Sequence, residues 1–261
     1  MKMKDYEKTT IIDFKETDRF LYLKLDSFVQ MLNTTSMYHT VSLGLAPNYM
    51  EEMGLVWVLY SWKLHLEDGD HYAKKLSFRT FAVFHKDIYS HRYFYVLDEG
   101  GKTVGYALSV WIVIDANKRK MVKIPEHIKD IYLDKVDPSL SPLQDRIVQG
   151  IEVKPLKKRR SSTFTHEKQF EIRFHDIDSN DHVNNTIYIN WAMESLTTDE
   201  NEQFLLDYVP EDLSIVYKKE KRPGGNVIVR SVVEDMESYH EIYDEEDNLL
   251  SLVELKWKRR M

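Results

Sequence analysis

Residues 96–111, VLDEGGKTVGYALSVW, align without a gap on residues 242–257, IYDEEDNLLSLVELKW, setting Asp98 against Asp244 and Trp111 against Trp257. Each copy is an apolar run, a polar turn and a second apolar run, which is a β-hairpin pattern. The surroundings repeat as well. In the first half a helix-like LDSFVQMLN (25–33) precedes the strand-like LVWVLYSWKLHL (55–66), LSFRTFAVFH (76–85), YSHRYFYVL (89–97) and TVGYALSVWIVID (103–115). In the second, HVNNTIYINWAMESL (182–196) precedes LSIVYKKEKR (213–222), NVIVRSVVED (226–235), SYHEIYD (238–244) and LLSLVELKWK (249–258). The shared order, helix and then aromatic and β-branched strands, predicts a tandem duplication of one unit.

The first helix is predicted to open on a capping box of Ser27 and Gln30, with Phe28, Met31 and Leu32 as its apolar stripe. The second carries Ile187, Trp191 and Glu194 on one face, with Tyr188, Ala192 and Ser195 beside it. Residues 137–164 hold three prolines, several serines and a basic run, the composition of a linker. The expected organisation is one domain over 1–140, a linker over 141–164 and a second domain over 165–261. The expected class is α+β, each half a helix laid on a bent antiparallel sheet, with the long strand 103–115 wrapping its helix.

The chain has 261 residues and no cysteine, which removes disulfides, thiolate metal sites and any cysteine nucleophile. Its formal net charge of −7 argues against general nucleic-acid binding. Basic residues are nonetheless clustered at 157–160 (KKRR), 218–222 (KKEKR) and 256–260 (KWKRR), and acidic ones in 234–247. Such runs are solvated faces or docking points for an acidic protein. No stretch is long and apolar enough for a bilayer span, and MKMKDYEKTTIIDF lacks the apolar core of a signal peptide, so a cytoplasmic setting is expected.

Residues 176–185, DIDSNDHVNN, gather carboxylates, amides and one histidine just before the second helix. A calcium loop would place Asp176, Asp178 and Asn180 at its first, third and fifth positions, but it needs glycine where Asp181 stands and glutamate where Ile187 stands. Zinc fails because His182 has no histidine or cysteine at a ligand spacing. A capped loop accounts for Asn184 or Asn185 alone. A catalytic centre uses the rest: a helix N-terminus favours developing negative charge, a histidine handles a proton, an aspartate fixes the histidine and an amide polarises a carbonyl.

The stretch RFHDIDSNDHVNNTIYINWAMES resembles the signature of the acyl-acyl carrier protein thioesterases, Asp-x-Asp-x-Asn-x-His-Val-Asn-Asn followed by a tyrosine and a tryptophan. Here these are Asp176, Asp178, Asn180, His182, Val183, Asn184, Asn185, Tyr188 and Trp191. GLVWVLYSWKLHL and SVWIVIDANKRKMVKIPEHI extend the resemblance over most of the chain. It implies two tandem hotdog domains, each a long helix wrapped by a curved antiparallel sheet, and hydrolysis of a fatty acyl thioester on carrier-protein phosphopantetheine without cofactor or metal. It implies catalytic roles for Asp178, Asn180, His182 and Glu220, with backbone support for the oxyanion at Val183 and Asn184. A cysteine nucleophile once proposed for the family would fall at Lys221 and is excluded. The departures SFRTF and LEDGDHYAKKL put the shape of the acyl pocket in question, not the reaction.

Which carboxylate takes the proton stays open at this stage. Pairing Tyr60 with Tyr217 sets Lys63 where the second half has Glu220, which implies one active site per chain, carried by the second half, and the resemblance leaves the first half to packing and an acyl-binding pocket. The other histidines read as structural or surface groups, with His175 adjoining the motif. The expected partner is acidic acyl carrier protein, with no nucleic acid. The tandem repeat already imitates a hotdog dimer and leaves a further homodimer open. The rivals are a hotdog acyl-CoA thioesterase and a non-catalytic acyl-thioester binding protein.

Overall fold

A computed structural model of the chain describes residues 4–45, 48–67, 69–133, 142–152, 154, 156–160, 163–197 and 203–260. The start of the expected linker, 137–141, lies outside the described residues. In chain order the elements are β1 (Asp5–Ile11), α1 (Leu25–Ser42), α2 (Tyr49–Glu52), β2 (Leu55–Leu66), β3 (Lys75–His85), β4 (Tyr89–Leu97), β5 (Thr103–Asp115) and β6 (Lys120–Val122). There follow α3 (Glu126–Tyr132), α4 (Pro142–Gly150), β7 (His166–Glu171), α5 (Ile187–Glu194), α6 (Gln203–Asp207), β8 (Tyr208–Tyr217), β9 (Asn226–Glu234), β10 (Glu237–Asp244) and β11 (Leu249–Arg259).

The strands form one antiparallel sheet in the order β1-β3-β4-β5-β2-β8-β11-β10-β9-β7, with β6 added beside β5. Read from the β2–β8 seam outward, the two halves have the same order. The chain is thus α+β, two hotdog units joined edge to edge. The matched hairpins close identically: the N–H groups of Lys102 and Asn248 donate to Asp98 Oδ1 and Asp244 Oδ1 at 2.9 and 2.8 Å. β1 and β7 were not legible as strands, because DYEKTTI and HEKQFE are charged edge strands with every second side chain exposed.

α1 buries Leu25, Phe28, Val29 and Leu32, a stripe of helical period, against the concave face of the sheet. At Gly105 of β5 an added Cβ would lie 3.0 Å from both the His65 carbonyl and Phe28 Cζ. α5 lies beside α1, tied by Gln30 Nε2 to Thr186 Oγ1 (3.5 Å) and by Asn190 Nδ2 to Asp26 Oδ2 (3.2 Å). The two ties are images of each other, so a local two-fold axis passes between the helices.

Three expectations are corrected. α1 begins at Leu25 with Lys24 as its N-cap and no side-chain cap, so Ser27 and Gln30 are interior helix residues, not a capping box. The second helix is short, because residues before Ile187 are held in a turn by Asn184, whose Oδ1 accepts from Thr186 N at 3.0 Å. β8 runs from Tyr208 to Tyr217, not from 213 to 222.

The outer face of the sheet carries the joining segment. α3 and α4 cover Phe81, Tyr93, Leu108 and Val110. Arg159 then packs its guanidinium over Tyr239 at 4.5 Å and pairs with Glu234 at 2.9 Å, while Lys158 pairs with buried Glu241 at 3.1 Å. The basic run 157–160 therefore latches onto the chain's own acidic run. Among the described residues no helix is long and apolar enough to cross a membrane.

Candidate active site

The loop before α5 is shaped by two aspartates. Asp176 is buried and accepts from Arg173 N at 2.8 Å and from its guanidinium at 2.9 Å. Asp178 turns its Oδ1 back onto the N–H groups of Asn180 (2.8 Å) and His182 (3.4 Å), and its own N–H donates to the His182 carbonyl at 2.8 Å. Asp181 completes the turn with φ +60°, a region that aspartate and asparagine tolerate better than most residues. Asp178 thus positions Asn180 and His182 through the main chain and makes no hydrogen bond to the imidazole.

Glu220 comes from the loop three residues past the end of β8 rather than from a strand. Its Oε2 lies 3.5 Å from His182 Nε2, with the two side chains 39% and 21% exposed. The same oxygen accepts from Arg119 Nη2 at 3.2 Å. Arg119 belongs to the first half, at the β5–β6 turn, so both halves build the centre. Beneath it Tyr188 and Tyr217 meet edge to face at 5.6 Å, and the Tyr217 hydroxyl donates to the Asn185 carbonyl at 2.8 Å. Burial pushes the Tyr217 phenol well above its ordinary range, so it stays a neutral donor.

The fold therefore gathers His182 and Glu220, holds Asn180 on the same turn and keeps Asp178 in support. The expected backbone donors are corrected. The Val183 N–H donates to the Lys221 carbonyl at 2.8 Å and the Asn184 N–H to the Asp176 carbonyl at 2.7 Å, so neither is available to an oxyanion. The next N–H, that of Asn185, donates to no described protein group. His175 is exposed, its ring against Phe174. Arg119 was missed; its only trace in the sequence is the basic run 117–120, NKRK, which gives no hint of a contact across the halves.

The first half contains the same loop. Thr17 bridges Leu23 as Ile177 bridges Val183. Asp18 Oδ1 accepts from Phe20 N (2.8 Å) and Tyr22 N (3.0 Å), and Leu21 has φ +66° where Asp181 has +60°. Phe20 and Tyr22 thus stand where the second half has Asn180 and His182. The sheet register also corrects the pairing of Tyr60 with Tyr217. Leu66 lies opposite Gly105 and Tyr217 opposite Ser251, and these partners occupy the same position in the matched hairpins. Leu66 therefore answers to Tyr217, and Gly69 to Glu220. The signal was readable in the shared Ile-x-Phe of IDFKETD (12–18) and IRFHDID (172–178).

Residues 3–132 match the acyl-ACP thioesterase N-terminal domain and residues 159–259 the acyl-ACP thioesterase C-terminal domain. The chain belongs to the acyl-ACP thioesterase family. A curated relative is the chloroplastic oleoyl-acyl carrier protein thioesterase of Coriandrum sativum, 23% identical over 196 residues, covering 70% of this chain and 53% of that protein. The chain thus spans about half the length of the curated relatives it matches. Among solved structures, the 12:0-ACP thioesterase from Umbellularia californica superposes with a TM-score of 0.81 at 16% identity, covering 98% of both chains. An acyl-ACP thioesterase from Bacteroides thetaiotaomicron gives 0.80 at 21% identity, covering 97% of this chain and 98% of that one. These likenesses establish the fold along the full length of both halves.

Proposed function

We propose that the chain hydrolyses the thioester between a fatty acyl group and the phosphopantetheine of acyl carrier protein, giving a free fatty acid and the carrier thiol. The observation that carries this reading is the approach of Glu220 Oε2 to His182 Nε2 at 3.5 Å, at the turn that bears Asn180. Glu220 accepts a proton from a water whose oxygen attacks the thioester carbon. The Asn180 amide and the Asn185 N–H donate to the resulting oxyanion. The tetrahedral intermediate collapses with cleavage of the C–S bond, and the water's proton passes through His182 to the departing sulfur. Asp178 keeps Asn180 and His182 in place, and Arg119 holds the Glu220 carboxylate.

Positioned acid and base groups each contribute roughly 10²–10⁴-fold and an oxyanion donor about 10²–10³-fold. With Tyr22 and Gly69 in the equivalent places of the first half, the scheme gives one catalytic centre per chain. The carrier's acidic surface would meet the basic rim around this centre, Lys118, Arg119 and Lys120 from one half and Lys218, Lys221 and Arg222 from the other. The run 157–160 is engaged internally and is not part of that rim. A cytoplasmic setting belongs to the same reading, and a further homodimer would be seen by light scattering.

The test is thiol release from carrier-protein and CoA thioesters of the same acyl chains, measured across salt concentrations. The reading expects preference for the carrier, with KM rising as salt screens the rim. Equal or better turnover of the CoA thioesters, without salt dependence, would assign the chain to the acyl-CoA alternative.

A further inference from the structure

The first-half copy of the loop borders a cavity of about 610 Å³, well inside the roughly 300–1,000 Å³ of small-molecule sites. It lies at the opposite pole of the local two-fold axis from His182. Asp18, Phe20 and Tyr22 of the loop line it, together with Met193 of α5, Leu206 of α6 and the charged Glu194 and Lys168. The residues that would activate water are replaced here: Tyr22 stands for His182, Phe20 for Asn180 and Gly69 for Glu220. The frame that presents them survives, including the positive φ at Leu21, a backbone state unfavourable for leucine.

One new group enters. Arg260, at the end of the last strand, reaches across the halves and donates to Asp18 Oδ2 at 3.0 Å. Its guanidinium covers Phe20 at 4.2 Å and Tyr22 at 5.1 Å. Its Nε and Nη1 are buried and hydrogen-bond to no described protein group. Buried N–H donors without acceptors are unfavourable, and an oxygen atom from a ligand would relieve that cost. We infer that this cavity is a second, non-hydrolytic binding site for a fatty acyl chain, its oxygen-bearing head directed at Arg260 and its hydrocarbon toward Met193 and Leu206. The choice of ligand class rests on the proposed thioesterase reading, because the loop bordering the cavity is the symmetry mate of the loop bearing His182. Free fatty acid and the acyl-pantetheine arm share this chemistry, and both are tested.

The experiment is methionine-methyl NMR on the full chain. It is titrated with octanoate, dodecanoate and hexadecanoate below micelle formation, and separately with the corresponding acyl-pantetheine amides, which keep the carbonyl oxygen and resist cleavage. The expected result is a saturable shift of the Met193 methyl in at least one arm. The responding arm identifies the source as acid or acyl arm. Leu206→Trp, which fills the cavity, should weaken that binding at least tenfold while thioester hydrolysis stays within about twofold. Arg260→Gln gives a second readout should Leu206→Trp unfold, and it should weaken binding of the same probe. A Met193 methyl that no probe moves, or a shift that survives both variants unchanged, overturns the inference. Because the signal is binding and not turnover, failure of a separate thioester hydrolysis assay on the same protein would count against the thioesterase reading alone.

Discussion

Asp178 shows how a carboxylate can organise a site without touching the histidine ring. Its oxygen collects the N–H groups of Asn180 and His182 and fixes the turn that aims both side chains. Asn180 then has its amide to offer, since its contact with Asp178 Oδ2 is long, at 3.5 Å. Asn180→Ala should lower kcat by about 10²–10³-fold with little change in KM, as expected for a donor used only in the transition state. Steady-state kinetics on a folded variant checks this, and a loss confined to KM would contradict it. His182, Asn180 and Asp178 were marked as candidates by a local motif, and Glu220 by the family resemblance alone, since KKEKR reads by itself as a surface run. Arg119 could not be marked so, because its contact with Glu220 is made across the halves and has no local pattern. The misplaced donors Val183 and Asn184 failed for a related reason: only three dimensions show that Lys221 and Asp176 already take their N–H groups.

Among the elements, α1 and β5 meet where Phe28 lies against Gly105. Gly105 lets Phe28 reach the strand, while the matching position in the second half, Ser251, keeps a side chain that donates to the Val216 carbonyl at 3.0 Å. Gly105→Ala presses its Cβ onto a strand carbonyl that cannot move freely, and should cost about 1–3 kcal/mol. Denaturant unfolding checks this, and an unchanged midpoint would contradict it. Long strands such as β2, β4 and β5 were legible from the sequence to the residue, because aromatic and β-branched runs ended at clear turns. β8 was shifted because Pro210 and two carboxylates disguise its start, and KKEKR continues past its end as loop. The helix caps were misread because tertiary burial, not a capping side chain, starts α1.

At the scale of the whole molecule, burial disfavours the protonated form of four described histidines, His39 on α1 and His85, His91 and His240 on strands. Burial lowers His39 to about 3, His91 to about 4 and His240 to about 3. His240 is hydrogen-bonded on both ring nitrogens, to Ser231 at 2.8 Å and to Ser238 at 2.8 Å. Unfolded histidines take up protons near pH 6.5 while these three stay neutral until about pH 4 to 3. The unfolded state therefore binds more protons in that interval, and stability is full above about pH 6.5 and declines as pH falls. His65 works in the opposite sense, raised first by its hydrogen bond to Asp212, so its contribution is present in acid and lost as pH rises. With four groups lowered against one raised, the denaturation midpoint should fall as pH drops from about 7 to about 5, before carboxylates titrate. A flat or rising midpoint over that range would contradict the burial of these rings. The duplication itself was the most legible feature, since the hairpin match survives in the sequence. The degenerate loop at the opposite pole was hidden by the loss of its chemistry, with only Ile12, Phe14 and Asp18 left to mark it.

The central claim is that an imidazole and a carboxylate brought together by the second half's loop and the β8 exit drive attack by water. The most direct measurement is single-turnover release of carrier thiol from an acyl carrier protein thioester by the parent chain, His182→Ala and Glu220→Gln, with folding monitored by circular dichroism. Each variant should lose at least about 10²-fold in rate while keeping its fold. A folded His182→Ala or Glu220→Gln protein that turns over near the parent rate would contradict the account.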